Sequence, residues 1–154
     1  MEPAVDIPDA VLFCCTMNAV RSPMAEGLMK ALYGTTAYVD SVGVRAGEPD
    51  GFVVAVMQEL GIDISRHKAK TFDELHDGSF DLIIAMSPEA QHHAVEMTRT
   101  MACDVEFWNT LDPTIIEGSR EDRLTAYRQV RDQIRKRLEN RFGRPRNPLP
   151  TPAA

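Results

Sequence analysis

Residues 11–22 read VLFCCTMNAVRS, an apolar run that ends in two cysteines and reaches Arg21-Ser22 after five intervening residues. The run 11–14 has the character of a buried strand, and Ser22-Pro23 that of a helix start. A serine caps a first turn, and a proline suits the first helical position, where its missing N–H has no partner to lose. Between them the backbone of Thr16, Met17, Asn18, Ala19, Val20, Arg21 and Ser22 wraps a helix N-terminus. Its N–H groups and the helix dipole form an anion cradle. The planar fork of Arg21 closes that cradle around two oxygens of a tetrahedral oxyanion. Cys15 sits beneath it. The groups that hold an anion also favour thiolate over thiol, and a thiolate facing a bound phosphorus centre is a nucleophile in place. Ser22 can donate its hydroxyl to that thiolate, and Asn18 tolerates the left-handed backbone that a tightly wound loop requires. Cys14 reads as a small buried hydrophobe.

Outward from this stretch, helices and strands alternate. A helix over 22–33 carries Met24, Leu28 and Leu32 on one stripe and stops at Gly34. A strand follows at 37–40, then a Gly-, Pro- and Asp-containing turn at 47–51, a helix at 52–60 ended by Gly61 and a short helix at 71–76. The continuous apolar run 80–86 reads as a central parallel strand buried on both faces. A helix from Pro88 to about residue 100 and a strand at 104–108 come next. The last helix, 119–142, has the spacing of a capping box at Ser119 and Asp122 and a stripe from Leu124 to Phe142. This alternation predicts an α/β fold, a single-domain open parallel sheet with helices on both faces. In such sheets the site lies beyond the carboxyl ends of the strands, where strand order reverses. The loop after the first strand fits that position. Residues 1–9 read as a flexible segment, 10–142 as the domain, and 143–154, with four prolines, as a disordered tail.

One domain of 154 residues is long enough to bury a substantial core. No run approaches the roughly 18 apolar residues of a membrane span, and the first ten residues lack the pattern of a secretory signal. Three cysteines, two of them adjacent, are no disulfide framework, so the cytoplasm is the expected location. The net charge of −6 combines −12 over residues 1–118 with +6 over 119–154. The basic part falls on the last helix and reads as a solvated face, and the overall acidity speaks against nucleic acid as a partner. No membrane partner, metal or cofactor is expected; His76, His92 and His93 read as surface residues.

Cys15-Thr-Met-Asn-Ala-Val-Arg21-Ser22-Pro-Met-Ala-Glu26 resembles the signature of the low-molecular-weight protein tyrosine phosphatases and of the thioredoxin-coupled arsenate reductases of the same fold. The resemblance extends to Asp40-Ser41-Val-Gly43, to the segment from Gly61 to His67, to the run 80–86 and to Asp112-Pro113. It implies a four-stranded sheet in the order 2-1-3-4. It makes Asp112 the general acid that protonates a leaving oxygen and then activates water, where Asp-Pro alone reads as a turn. It also implies that Asn18, Ser22, Ser41 and His67 form a hydrogen-bond network that fixes the loop. The expected substrates are a phosphorylated protein or a small aryl phosphate, with inorganic phosphate or another oxyanion as ligand.

The departures from that pattern sharpen the expectation. Val20 stands where many of the phosphatases have a second loop cysteine, and Met17 and Ile115 stand as substrate walls where glycine and an aromatic residue are common. The two further cysteines of the reductases' disulfide relay are Ser87 and Ala94 here. The expected activity is therefore a cysteine-dependent phosphatase acting on phosphotyrosine or aryl phosphate monoesters through a phosphocysteine. The alternatives are an arsenate reductase that uses an external small thiol, and an oxyanion- or phosphopeptide-binding module.

Overall fold

Four strands, β1 (Ala10–Cys15), β2 (Tyr38–Gly43), β3 (Leu82–Ala85) and β4 (Asp104–Phe107), lie parallel in the order β2-β1-β3-β4. This is the sheet of the computed structural model of the chain, which describes residues 6–75 and 78–149. Parallel neighbours need crossovers, and helices α1 (Arg21–Tyr33), α2 (Gly51–Gln58) and α3 (Pro88–Met97) supply them, while α4 (Arg120–Phe142) follows the last strand. β1 is central, with Phe13 opposite Ser41 on one side and Ile84 on the other.

Strand alternation divides the interior in two. Val11, Phe13 and Cys15 enter the larger core, filled by α1, α2 and α4, while Leu12 and Cys14 enter a smaller one beneath Ala90 and Ala94 of α3. The two adjacent cysteines thus face opposite sides of the sheet. The capping box of α4 forms as its spacing predicts, Ser119 Oγ accepting from Asp122 N while Asp122 Oδ2 accepts from Ser119 N. The stripe from Leu124 to Phe142 is buried along its length.

Several expectations shift. α1 starts at Arg21 behind Val20, with no side-chain cap, because the Ser22 hydroxyl is engaged inside the loop. Pro23 is therefore the third helical residue, still within the turn whose N–H groups lack intrahelical partners. β2 continues to Gly43, held by pairing with Cys15, and β3 is shorter than the apolar run around it. Residues 72–74 form one 3-10 turn, and His76 lies outside the described residues.

The described part of the chain after Gly143, where composition predicts disorder, returns to the body. Leu32 O accepts from the backbone N–H of both Arg146 and Asn147, and Leu149 packs on the larger core. Ile7 packs on that core too, and Asp9 O accepts from Tyr38 N. Residues 1–5 and 150–154 lie outside the described residues. Among the described residues no helix is long and apolar enough to cross a membrane.

Candidate active site

The loop between β1 and α1 is held in shape by the segment that follows β2. Val44 N donates to Cys15 O at 3.1 Å, Arg45 N to Thr16 O at 2.9 Å and Gly47 N to Met17 O at 2.8 Å. With its carbonyls engaged outward, the loop is left with N–H groups for its concave side. The close approach requires Gly43: a Cβ there would lie 2.6 Å from Arg45 O and 2.7 Å from Asn18 N. Asn18 takes the left-handed conformation, with φ 51°, and is fully buried.

Its side chain is the hub beneath the loop. Asn18 Nδ2 donates to Ser22 Oγ at 2.9 Å and to Ser41 Oγ at 3.0 Å, and its Oδ1 accepts from Lys70 N at 3.0 Å. Ser22 Oγ lies 2.9 Å from Cys15 Sγ. Because it accepts from Asn18, its one proton is shared between the sulfur and, at 3.4 Å, Val42 O. Ser41 passes its proton to Glu26 Oε1, whose partner oxygen pairs with Lys30. His67 Nε2 lies 2.9 Å from Asn18 O, and since a carbonyl only accepts, Nε2 carries the hydrogen. The structure thus brings Asn18, Ser22, Ser41 and His67 together around Cys15. Glu26 extends the set; it stood inside the quoted signature without an assigned role.

Arg21 is almost buried, at 9% exposure. Nη1 donates to Thr110 O at 3.0 Å and Met86 O at 3.5 Å, and Nη2 to Thr16 Oγ1 at 3.5 Å. Two of the five guanidinium N–H groups remain for a ligand. The carbonyls that aim this side chain come from the segments that follow β3 and β4, and nothing in their side chains signals that role.

Asp112 precedes the 3-10 turn Pro113–Ile115, and its Oδ1 accepts from Thr114 N at 3.0 Å and Thr114 Oγ1 at 2.7 Å. Both bonds use one oxygen, which leaves Oδ2 to hold or take a proton. A cavity of about 190 Å³ brings Cys15, Arg21 and Asp112 together, with Met17, Thr114 and the segment from Gly47 to Asp50 around them. Ile115, expected as a wall, turns outward at 65% exposure; Thr114 takes its place. Two carboxylates of the turn at 47–51 also line this cavity, Glu48 and Asp50. Asp50 caps α2 through Phe52 N and Val53 N and accepts from the Tyr127 hydroxyl at 2.7 Å. Burial first, and then the bond to Asp50, push the Tyr127 hydroxyl above its ordinary range.

No second thiol stands near Cys15. Cys14 Sγ points at Ile84 O and Ala90 O on the other face, where burial, and next the neighbouring Cys15, push its thiol well up. Ser87 is buried as the N-cap of α3, accepting from Ala90 N at 3.2 Å and from Thr16 Oγ1 at 3.0 Å. Ala94 and Cys103 belong to the smaller core. Among the described residues no cluster of His, Cys, Asp or Glu is arranged to hold a metal ion.

This geometry has known relatives. An arsenate reductase of Halalkalibacterium halodurans is 34% identical over 131 residues, covering 84% of this chain and 91% of its own. A low molecular weight protein tyrosine phosphatase from T. tengcongensis superposes with a TM-score of 0.69 at 30% identity, covering 84% of this chain and 95% of its own. An arsenate reductase solved in a phosphate-binding state gives 0.66 at 28% identity, covering 86% and 95%. The family model of the low molecular weight phosphotyrosine protein phosphatases matches residues 10–144, a span that holds the loop, the hub beneath it and Asp112 alike, and the chain belongs to that family.

Proposed function

We propose that this protein is a cysteine-dependent enzyme acting on tetrahedral oxyanions. Cys15 attacks the central atom, Arg21 and the loop N–H groups hold the equatorial oxygens, and Asp112 carries protons. The observation that supports this reading is the single cavity shared by these three side chains. A related arsenate reductase solved in a phosphate-binding state supports oxyanion binding. The reducing cytoplasm suits a free nucleophilic cysteine.

Two reactions continue from that first step. In arsenate reduction, Cys15 displaces hydroxide and becomes bonded through sulfur to arsenic. A second thiol attacks the Cys15 sulfur, and the sulfur–arsenic pair stays on arsenic, which leaves as arsenite. The arsenate reductases to which the chain is similar support this reading. The thiol must come from outside, because Ser87 and Ala94 stand at the relay positions and Cys14 faces away. In the second reading the enzyme hydrolyses a phosphotyrosine or aryl phosphate. Asp112 protonates the leaving oxygen and then deprotonates the water that cleaves the phosphocysteine. Family membership and the free Oδ2 of Asp112 in the cavity support it.

One preparation tests both. Arsenite is measured with arsenate plus dithiothreitol or reduced glutathione, and phenolate with an aryl phosphate. Thiol-dependent arsenite alone selects the first reading, and phenolate release alone the second. Either activity persisting in Cys15→Ser would remove Cys15 from its role.

A further inference from the structure

A second cavity, of about 230 Å³, opens beside the catalytic one and shares Ala19, Gly47, Glu48 and Asp50 with it. Beyond that common wall it is lined by the apolar side chains of Val53, Val54 and Ile64 and by polar ones that include Ser65, His67 and Lys68. Lys68 and Glu48 are both exposed, and neither has a hydrogen bond or ion pair among the described residues. The cavity therefore offers an unengaged cation and an unengaged anion beside the apolar patch of Val53, Val54 and Ile64, next to a nucleophile that lacks a thiol partner of its own.

We propose that this second cavity is the subsite of a small, amino-acid-derived thiol whose carboxylate meets Lys68, whose ammonium meets Glu48, and whose sulfur enters the catalytic cavity at Ala19 and Gly47. Its part in turnover rests on the arsenate-reduction reading. There the bound thiolate attacks the Cys15 sulfur and a sulfur–sulfur bond forms. The sulfur–arsenic bond breaks with its pair on arsenic, so arsenic goes from +5 to +3 as the two sulfurs are oxidised to a disulfide. A second molecule of the thiol then attacks that mixed disulfide and releases Cys15 as thiolate. The same seat serves Cys15 after peroxide has oxidised it to the sulfenic acid: the thiol sulfur bonds to the Cys15 sulfur and water leaves. That step does not depend on arsenate.

The subsite is tested on the sulfenic acid. The full chain is oxidised with one equivalent of peroxide and mixed with reduced glutathione. Formation of the Cys15–glutathione disulfide is followed by mass spectrometry against glutathione concentration. The rate is expected to saturate. Exposed ion pairs change affinity by a factor of about 1.5–5 each. Lys68→Glu, which turns attraction into repulsion, should therefore raise the half-saturating concentration roughly 3–20-fold. Val54→Trp, which fills the cavity, should raise it as well. 2-Mercaptoethanol, which has neither charge, should react without saturating and equally with wild type and Lys68→Glu. A rate linear in glutathione, or one indifferent to both substitutions, overturns the subsite. Saturation without any arsenite formation from arsenate overturns the arsenate reading and leaves the subsite standing. Arsenite formation with dithiothreitol but no saturation by glutathione does the reverse.

Discussion

Replacing Asn18 with alanine removes the hub beneath the loop in one step. Three hydrogen bonds disappear, to Ser22 Oγ, Ser41 Oγ and from Lys70 N, each between 2.9 and 3.0 Å and each from a fully buried side chain. At about 0.5–1.5 kcal/mol each they amount to roughly 1.5–4.5 kcal/mol. Alanine at φ 51° adds about 1 kcal/mol of left-handed strain that asparagine tolerates better. The expected loss is roughly 3–5 kcal/mol, a large part of a stability of about 5–15 kcal/mol. Asn18→Gly separates the two contributions. It loses the same bonds without the strain, but glycine's freer unfolded chain costs about 0.5–1 kcal/mol. The two variants should therefore fall within about 1 kcal/mol of each other. Urea unfolding followed by the fluorescence of the single, buried Trp108 measures both at unchanged slope. An Asn18→Ala loss below about 1 kcal/mol would refute the hub, and a glycine variant near wild type would assign the effect to the backbone alone.

Asp112→Asn should slow aryl phosphate turnover by about 10²–10⁴ for poor leaving groups and much less for good ones; an equal loss across leaving groups would contradict a leaving-group acid. Without added thiol, peroxide should drive Cys15 to irreversible acids, because Cys14 and Cys103 belong to the other core. A mapped disulfide between Cys15 and either of them, with full recovery by dithiothreitol, would show that a resolving partner exists. Hydrogen bonds from Arg128, followed by Arg131, hold the Glu59 carboxyl below its ordinary range. A depressed folded-state value means stability that is present above the unfolded value of about 4.3 and lost as pH falls through the lower folded one. The stability of wild type over Glu59→Gln should therefore be constant near neutral pH and shrink in acid; a gap that widens in acid would oppose this.

Local chemistry made much of this protein legible in its sequence. The apolar runs, the capping box of α4 and the Cys15–Arg21 spacing each carry their own physical cause, so sheet, last helix and loop could be placed from residues alone. The start of α1 could not: a serine looks the same whether it caps a turn or faces a sulfur, and Ser22 does the second. Asp50 and Glu48 read as turn residues because only the tertiary fold sets the Gly47–Asp50 segment across from Cys15. The anchoring of Arg21 on Thr110 O and Met86 O was invisible for a different reason, since backbone carbonyls carry no sequence signal. The return of the chain after Gly143 was missed because proline-rich composition conceals two backbone bonds to one carbonyl, Leu32 O.

The central claim is that Cys15 bonds covalently to the oxyanion's central atom, and trapping that adduct tests it most directly. Asp112→Asn given an aryl phosphate with a good leaving group should form the phosphocysteine quickly and hydrolyse it slowly. The mixture is quenched in acid within the first turnover, digested and sequenced by mass spectrometry. One phosphoryl group per chain on Cys15, matching the burst of released phenolate, is the predicted result. A burst that leaves Cys15 unmodified, or phosphoryl on any other residue, would contradict the account.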